Sequence, residues 1–290
     1  MQSTPIIWSV IINWKCAEET CACLASLIAT VDPSTVIVID NGSADGSVET
    51  IRARFPTVTL LPISTNLGFA KAANIGIAHA LAHGADGVFL LNNDTTVAPD
   101  TMARLVELLA ESAQIGVLSA KVFLTEQPGR LWSVGGVYRD HNAIDLGAGA
   151  LDQGQFDHTQ LDFVYGCAML LSARMLYAVG GFDERFFMYY EDVDLCLRAR
   201  AAGYTVALAP ATHVWHLGSR STSATPALKL YYQARSRQLF YAKHLSGPAR
   251  RRFYGSEFRY TISLTLRRLR AGNPAGALAG LRGCLAALVG

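Results

Sequence analysis

Residues 36–47, VIVIDNGSADGS, join a strand to a polar loop, and this combination points to the fold class. Four β-branched apolar residues in a row are typical of a strand that is buried on both faces. The Asp-Asn-Gly-Ser segment that follows is typical of a turn. A helical pattern then covers 47–55, so the stretch predicts one strand–loop–helix unit of an α/β sheet.

The same unit recurs through the first half of the chain. Strands are predicted at 6–12, 36–39, 58–62, 88–91 and 115–119, and a later one at 204–209. Helices are predicted at 18–30, 47–55, 69–83, 100–112, 174–179 and 192–202, while 120–165 reads as short strands and loops. The alternation indicates an α/β fold with a mostly parallel sheet flanked by helices. No GxGxxG motif follows the first strand, which argues against a dinucleotide-binding dehydrogenase.

Composition predicts a cytoplasmic protein with a sizeable core. Of the 290 residues, 51% are apolar, yet no apolar run reaches the roughly 18 residues that a membrane-spanning helix needs. The N-terminal segment has no basic stretch before its apolar run, so we predict no signal peptide. The six cysteines form no CxxC pair, which favours reduced, buried thiols over a disulfide or zinc site.

Charge divides the chain into two predicted domains, 1–225 and a helical region at 226–290. From Pro226 onward there are twelve Lys or Arg residues and one acid, Glu257, a net charge of +11, whereas the preceding part carries −9. A basic helical region with interleaved aromatic residues suits an anionic membrane surface. Packing on the sheet or formation of a homo-oligomer is the alternative. Nucleic acid is not expected, because no base-recognition module is present.

Two polar clusters follow predicted strands and should meet at one edge of the sheet. Asp40 ends the strand at 36–39, and Asn92, Asn93 and Asp94 follow the strand at 88–91. Ligands of such sheets bind beyond the carboxyl ends of the strands. Asp40 could accept hydrogen bonds from a nucleoside, and Asp94 could hold a divalent cation. Each cluster could equally be ordinary turn or loop chemistry.

Two further segments carry candidate groups. FFMYYEDVDLCLRARAAGY, residues 186–204, contains Glu191, Asp192 and Asp194 at a predicted helix start. These acids could cap the helix or present a catalytic base, and the helix dipole there favours the ionised form of Asp192. In ATHVWHLGSRS, His213 or His216 could complete a metal site, although a histidine without such a role is the commoner case.

Several motifs in series resemble the family 2 glycosyltransferases, and in particular their bacterial rhamnosyltransferase-like branch. They are IDNGSADGS, NLGFAKAANIGI, LLNNDTTV, GGFDERFFMYYEDVDLCLRARAAGY and HVWHLGSRS, and the resemblance covers about residues 6–245. It implies a GT-A fold, nucleotide-sugar donors, inversion at the anomeric carbon and Mg²⁺ or Mn²⁺ as cofactor. The Asn-Asn-Asp segment stands where the family has a DxD motif, so metal binding would rely on a single acid.

The resemblance also implies roles for individual residues. Asp192 would be the catalytic base, and Asp94 and His216 would lie at the metal, with His213 in reserve. The residues implied beside the nucleotide-sugar are Asn13, Asp40, Asn66, Gly68, Phe69, Asn74, Asn92 and Asn93. The residues implied at the acceptor pocket are Gly166, Tyr190 and Glu191.

The function expected from this resemblance is metal-dependent transfer of a sugar in cell wall polysaccharide biosynthesis. The donor would be dTDP-rhamnose, and the acceptor a hydroxyl of a glycan or of a polyprenyl-diphosphate-linked glycan at the inner face of the membrane. A nucleotidyltransferase is an alternative, but the segment after the first strand is not a glycine-rich phosphate loop. A catalytically silent nucleotide-sugar-binding scaffold is another, although Asp40, Asp94 and Asp192 are all present.

Overall fold

A computed structural model describes residues 4–218 and 226–289, which form two compact units. The first unit contains 4–183 and 192–218, and the second contains 184–191 and 226–289. The domain boundary predicted at 225 falls at the edge of 219–225, which lie outside the described residues.

Strands and helices alternate in the first unit. The strands are β1 (Ile7–Asn13), β2 (Val36–Asn41), β3 (Thr59–Ile63), β4 (Gly87–Asn92), β5 (Thr95–Val97), β6 (Ile115–Leu124), β7 (Gln127–Ser133), β8 (Gly135–Arg139), β9 (Asn142–Leu146), β10 (Ala168–Ser172) and β11 (Thr205–His216). The helices before the C-terminal region are α1 (Ala17–Ile28), α2 (Ser47–Arg54), α3 (Phe69–Ala82), α4 (Thr101–Glu111), α5 (Ala173–Val179) and α6 (Glu191–Ala201).

The main sheet has nine strands, in the order β3-β2-β1-β4-β10-β6-β11-β5, with β7 paired to β6. Six strands run in one direction, and β5, β7 and β10 run against them. The strands β8 and β9 form a separate hairpin. The predicted fold class, a mostly parallel α/β sheet flanked by helices, is confirmed.

The strand β10 was not predicted, and β11 is longer than expected. All five residues of β10 are buried, and they pair antiparallel with both β4 and β6. A short, wholly apolar run next to a helix cannot be distinguished from part of that helix by periodicity. The strand β11 continues past 209 to His216 after a register shift between Ala209 and His213. The HVWH segment is therefore part of the sheet.

Strand pairing brings the polar clusters to one edge. Asn13 pairs with Asp40, and Ile12 pairs with Asn92, so the carboxyl ends of β1, β2 and β4 are neighbours. The antiparallel pairing of β5 with β11 sets Thr95 opposite His216. This register places residue 94 beside a histidine that follows it by more than a hundred positions.

The second unit contains three long helices, α7 (Pro226–His244), α8 (Gly247–Arg270) and α9 (Pro274–Val289). The guanidinium of Arg237 on α7 binds the carboxylate of Glu257 on α8, with Nε 3.0 Å from Oε2. The Ser236 hydroxyl donates to the Met188 carbonyl oxygen at 2.7 Å, which ties 184–191 to this unit. Across 4–218 and 226–289, no helix combines the length and the hydropathy needed to cross a membrane.

Candidate active site

Asp40 lies at the end of β2 in a buried hydrogen-bond network. Its Oδ1 accepts from Asn13 Nδ2 at 2.6 Å and from the Ser43 hydroxyl at 2.5 Å, and its Oδ2 accepts from the Ser43 backbone N–H at 3.1 Å. An ionised carboxylate has about four acceptor positions. Oδ2 therefore retains capacity for a donor group of a ligand.

The network continues from Asn13 through Thr20 to Asn93. Thr20 Oγ1 donates to Asn13 Oδ1 at 2.7 Å and accepts from Asn93 Nδ2 at 3.0 Å. Asp40, Asn13, Thr20 and Asn93 are all buried. We call this series, Asp40–Asn13–Thr20–Asn93, the polar chain. It links three of the residues implied by the resemblance through Thr20, which the sequence analysis missed because its only signal is one hydroxyl on the apolar face of α1.

Asn66 and Gly68 shape a loop beside β2. Asn41 Oδ1 accepts from the Leu67 backbone N–H at 2.9 Å, and Asn41 Nδ2 donates to Asn66 Oδ1 at 3.1 Å and to the Gly68 carbonyl at 3.2 Å. Asn66 Oδ1 also accepts from the Gly68 N–H at 2.9 Å. Asn41, a further residue not singled out from the sequence, thus holds this loop next to Asp40.

Phe69 and Asn74 contact the GGFDE turn. Asn74 Oδ1 accepts from the Phe182 backbone N–H at 2.8 Å, and Asn74 Nδ2 donates to the Phe182 carbonyl at 2.9 Å. The Phe69 ring packs edge-on against Phe182, with centroids 6.0 Å apart, and a Cβ added to Gly166 would lie 3.1 Å from the Phe69 ring. The structure thus brings both residues to the segment that precedes Asp192.

Asp94 and His216 form a buried pair. Asp94 Oδ1 lies 3.0 Å from His216 Nε2, and the Asp94 carbonyl accepts from the Leu217 N–H at 3.0 Å. The Trp132 ring packs edge-on against His216, with centroids 4.8 Å apart. Three positions separate His213 from His216, so the strand pleat turns their side chains to opposite faces. The His213 ring instead contacts Phe123, with centroids 5.3 Å apart.

This pair fits a divalent metal that takes its other ligands from phosphate and water. Among the described residues, no group of three or more His, Cys, Asp or Glu could hold a metal alone. Asn92 Nδ2 lies 3.5 Å from His216 Nε2, so an amide borders the pair. Mg²⁺ and related hard cations commonly bind proteins through one or two carboxylates plus substrate phosphates. Asp94 Oδ1 and His216 Nε2 would be the protein ligands.

Asp192 lies in the first turn of α6 and is buried. Its Oδ2 accepts from the Gly166 N–H at 3.1 Å, and its Oδ1 accepts from the Val193 N–H at 2.8 Å. Burial raises the pKa of Asp192, and these hydrogen bonds oppose the rise only in part. The helix dipole alone predicts a lowered pKa for Asp192, whereas burial of the carboxylate raises it.

The backbone segment Gly166–Cys167 connects Asp192 with Asn92 at the end of β4, two residues before Asp94. Gly166 donates to Asp192, and the Cys167 carbonyl accepts from the Asn92 N–H at 2.9 Å. Burial raises the pKa of Cys167 well above its ordinary value, and the charges of Asp192 and Asp94 raise it further. Both carboxylates therefore act on one thiol at the amino end of β10.

Tyr190 and Glu191 belong to the second unit, whereas Gly166 belongs to the first. The Tyr190 ring contacts the Phe240 ring, with centroids 5.1 Å apart, and Glu191 is buried. Tyr189 and Tyr190 have φ values of 70° and 67°, in the left-handed region that non-glycine residues rarely adopt. The role of Gly166, Tyr190 and Glu191 at an acceptor remains a prediction.

Replacing Thr20 should expose the importance of the polar chain. Thr20→Val keeps the side-chain shape but leaves Asn13 Oδ1 and Asn93 Nδ2 without this partner, so the free energy of unfolding should fall by about 1–3 kcal/mol. Urea denaturation followed by circular dichroism measures the change. Thr20→Ser is the matched control, since it keeps the hydroxyl. A larger loss in the Ser variant than in the Val variant would contradict the assignment.

Similarity to curated proteins extends over most of the chain. It is 31% identical over 270 residues to the N-acetylglucosaminyl-diphospho-decaprenol L-rhamnosyltransferase of Mycobacterium tuberculosis, with 84% of this chain and 85% of that protein covered. It is 24% identical to the low-salt glycan biosynthesis hexosyltransferase Agl10 of Haloferax volcanii, with 66% of this chain and 60% of that protein covered.

Solved structures share the fold. The mannosyltransferase PcManGT of Pyrobaculum calidifontis, in complex with GDP-Man and Mn²⁺, superposes with a TM-score of 0.58 at 14% identity, covering 99% of this chain and 88% of that one. GalNAc-T7 with UDP, GalNAc and Mn²⁺ superposes with a TM-score of 0.59 at 14% identity, covering 83% and 51%. Residues 5–240 match the family model described as "Glycosyltransferase like family 2". The chain therefore belongs to glycosyltransferase family 2 and has its GT-A fold.

Proposed function

We propose that this glycosyltransferase transfers L-rhamnose from dTDP-rhamnose to a hydroxyl of a polyprenyl-diphosphate-linked glycan, with inversion at the anomeric carbon. The observation that carries the proposal is that the segment Gly166–Cys167 bonds to Asp192 at one end and to Asn92 at the other, and Asn92 lies two residues before the buried Asp94–His216 pair. The name of the M. tuberculosis relative supports both the sugar and the lipid-linked acceptor. An acceptor of this kind lies at a membrane surface.

The polar chain suits donor binding. Asp40 already accepts three hydrogen bonds from the protein and has room for one from the nucleoside. Asn93 anchors the other end of the chain, next to Asp94. Because hydrogen bonds already hold the side chains of this buried network, they can position a ligand without becoming further ordered. The nucleoside would lie near Asp40 and the diphosphate near Asp94.

The Asp94–His216 pair would hold Mg²⁺ or Mn²⁺. Such an ion neutralises the charge that develops on a leaving diphosphate. Asp94 is fixed by its place before β5, and His216 by its pairing with Thr95. His216 is the last residue of β11, whereas Asp94 lies in the short turn between β4 and β5, and the Leu217 N–H donates to the Asp94 carbonyl, which holds the two residues together.

Asp192 acts as the general base in this proposal. It takes the proton of the acceptor hydroxyl while that oxygen bonds to the anomeric carbon from the face opposite the diphosphate. The bond between the anomeric carbon and the phosphate oxygen breaks, and the diphosphate leaves with the electron pair. A base of this kind contributes about 10²–10⁴-fold. A pKa raised by burial makes Asp192 a stronger proton acceptor than an exposed aspartate.

The base assignment predicts separate effects on turnover and binding. Asp192→Asn should lower kcat at least about 10²-fold, because the amide cannot accept the proton. Stabilisation of the protein by dTDP-rhamnose with Mn²⁺, measured by thermal shift, should stay unchanged. The matched control is Asp140→Asn at an exposed position, which should leave kcat and the thermal shift unchanged. Near-normal turnover in the Asp192 variant would refute the base, and absence of any nucleotide-sugar response in the unmodified protein would refute the donor.

The acid limb of the pH–rate profile should reflect protonation of the Asp192 carboxylate. Below its pKa the carboxyl is protonated and cannot accept the hydroxyl proton, so kcat falls as pH falls. Because burial raises this pKa, the fall should begin above the ordinary aspartate value of about 3.9. The measurement is log kcat against pH with donor and acceptor saturating. A fall in kcat that begins only at or below the ordinary aspartate pKa would contradict the role of Asp192 as general base.

The two histidines allow a matched test of metal binding. His216→Ala should weaken the Mn²⁺-dependent part of donor binding more than about tenfold, since changes even beyond the ligands cost that much. His213→Ala should leave it intact, because the His213 ring contacts Phe123 and lies on the other face of β11. Isothermal titration calorimetry of the donor, with and without Mn²⁺, measures the Mn²⁺-dependent part of binding in both variants. Equal losses in the two variants would exclude His216 as a ligand.

A further inference from the structure

One face of α8 carries a line of exposed apolar side chains. Phe258, Ile262, Leu266 and Leu269 are 68%, 44%, 46% and 49% exposed. At 3.6 residues per turn these four positions fall within an arc of about 80°. We call them the α8 stripe. Single exposed apolar residues are ordinary, but a contiguous line of them marks a surface that meets an apolar partner.

The stripe is distinct from the face that α8 buries within its own unit. Phe253 and Glu257 are buried, and Glu257 binds Arg237 of α7 at 3.0 Å. Thr261 and Leu264, on the same side, line a cavity with residues of α7 and α9. The helix therefore already has a packed face, and the stripe is a second apolar face rotated away from it.

Exposed arginines border one edge of the stripe, where Arg252, Arg259 and Arg270 lie within about 40° of it. The exposed arginines of α8 are Arg250, Arg251, Arg252, Arg259, Arg267 and Arg270. Glu257 is the single acid from Pro226 to the end of the chain, and it is buried against Arg237. No acid of this region offsets the positive charge at the surface. An apolar line bordered by basic side chains is typical of a helix that lies in the plane of an anionic bilayer.

We propose that the α8 stripe docks on an anionic lipid bilayer, with its apolar side chains at the boundary of headgroups and acyl chains. The flanking arginines bind lipid phosphates, which adds an attraction that salt weakens. A second copy of the chain fits less well, since a two-fold contact brings the same face to itself and would set arginine against arginine. The proposal rests on the proposed function, since a lipid-linked acceptor lies at such a surface.

Vesicle binding by the full chain, without donor, tests the docking. The unmodified protein should sediment with phosphatidylcholine vesicles that contain phosphatidylglycerol, and added salt should release it. Phe258→Ser with Leu266→Ser should weaken this binding at least about tenfold, because two apolar side chains no longer enter the bilayer. Arg259→Gln with Arg270→Gln should weaken it by a similar factor and reduce its dependence on salt.

Matched controls lie on the first unit. Tyr177→Ser with Ile144→Ser removes two exposed apolar side chains, and Arg52→Gln with Arg139→Gln removes two exposed charges. These variants should bind vesicles like the unmodified protein. Thermal unfolding of every variant reports folding, and the thermal-shift response to dTDP-rhamnose with Mn²⁺ should match that of the unmodified protein. Vesicle binding thus succeeds or fails separately from donor recognition.

Three outcomes would overturn the proposal. One is equal binding to vesicles with and without phosphatidylglycerol. Another is unchanged binding by the Phe258 and Leu266 double variant. The third is a dimer, seen by analytical ultracentrifugation, that this double variant dissociates, because the stripe would then be an interface between copies.

Discussion

The antiparallel pairing of β10 with β4 is the constraint on which the rest of the site depends. Because β10 runs against its neighbours, its amino end lies at the edge where the parallel strands end. Gly166 and Cys167 therefore reach the carboxyl end of β4, where the Cys167 carbonyl accepts from Asn92. The Gly166 N–H then holds Asp192. The reversed direction of β10 thus connects Asp192 on α6 with the end of β4, although the two are far apart in sequence.

The two buried aspartates differ in ways that suit different tasks. Asp40 receives three hydrogen bonds, and its neighbours Asn13 and Thr20 are themselves engaged, which favours a fixed ligand-binding group. Asp192 receives two backbone hydrogen bonds, and burial raises its pKa. A carboxylate that binds its proton more tightly is the better acceptor during a reaction. The roles proposed for the two residues, ligand binding for Asp40 and proton transfer for Asp192, therefore follow from their different environments and not from residue type.

Local patterns predicted the fold class and most strands, because β-branched runs and polar turns are properties of neighbouring residues. They did not predict β10, because its short apolar run lacks the alternation of apolar and polar residues that distinguishes a strand from a helix. The approach of His216 to Asp94 depends on the pairing of β5 with β11, which no local pattern contains. Thr20 was missed because a single hydroxyl on a helix carries no signal of its partners. The pKa of Asp192 is raised because the residue is buried, and the spacing of residues along the sequence does not reveal burial.

The environment of Cys167 has a chemical consequence. The thiolate is the form of cysteine that reacts with oxidants and alkylating agents. Burial, together with the charges of Asp192 and Asp94, raises the pKa of Cys167 well above its ordinary value, so Cys167 stays a thiol at physiological pH. Cys23 and Cys196, each with a pKa raised to about 12, are equally inert. Cys167, Cys23 and Cys196 are buried, whereas Cys16 and Cys284 are only half-buried and are the thiols that reagents reach first.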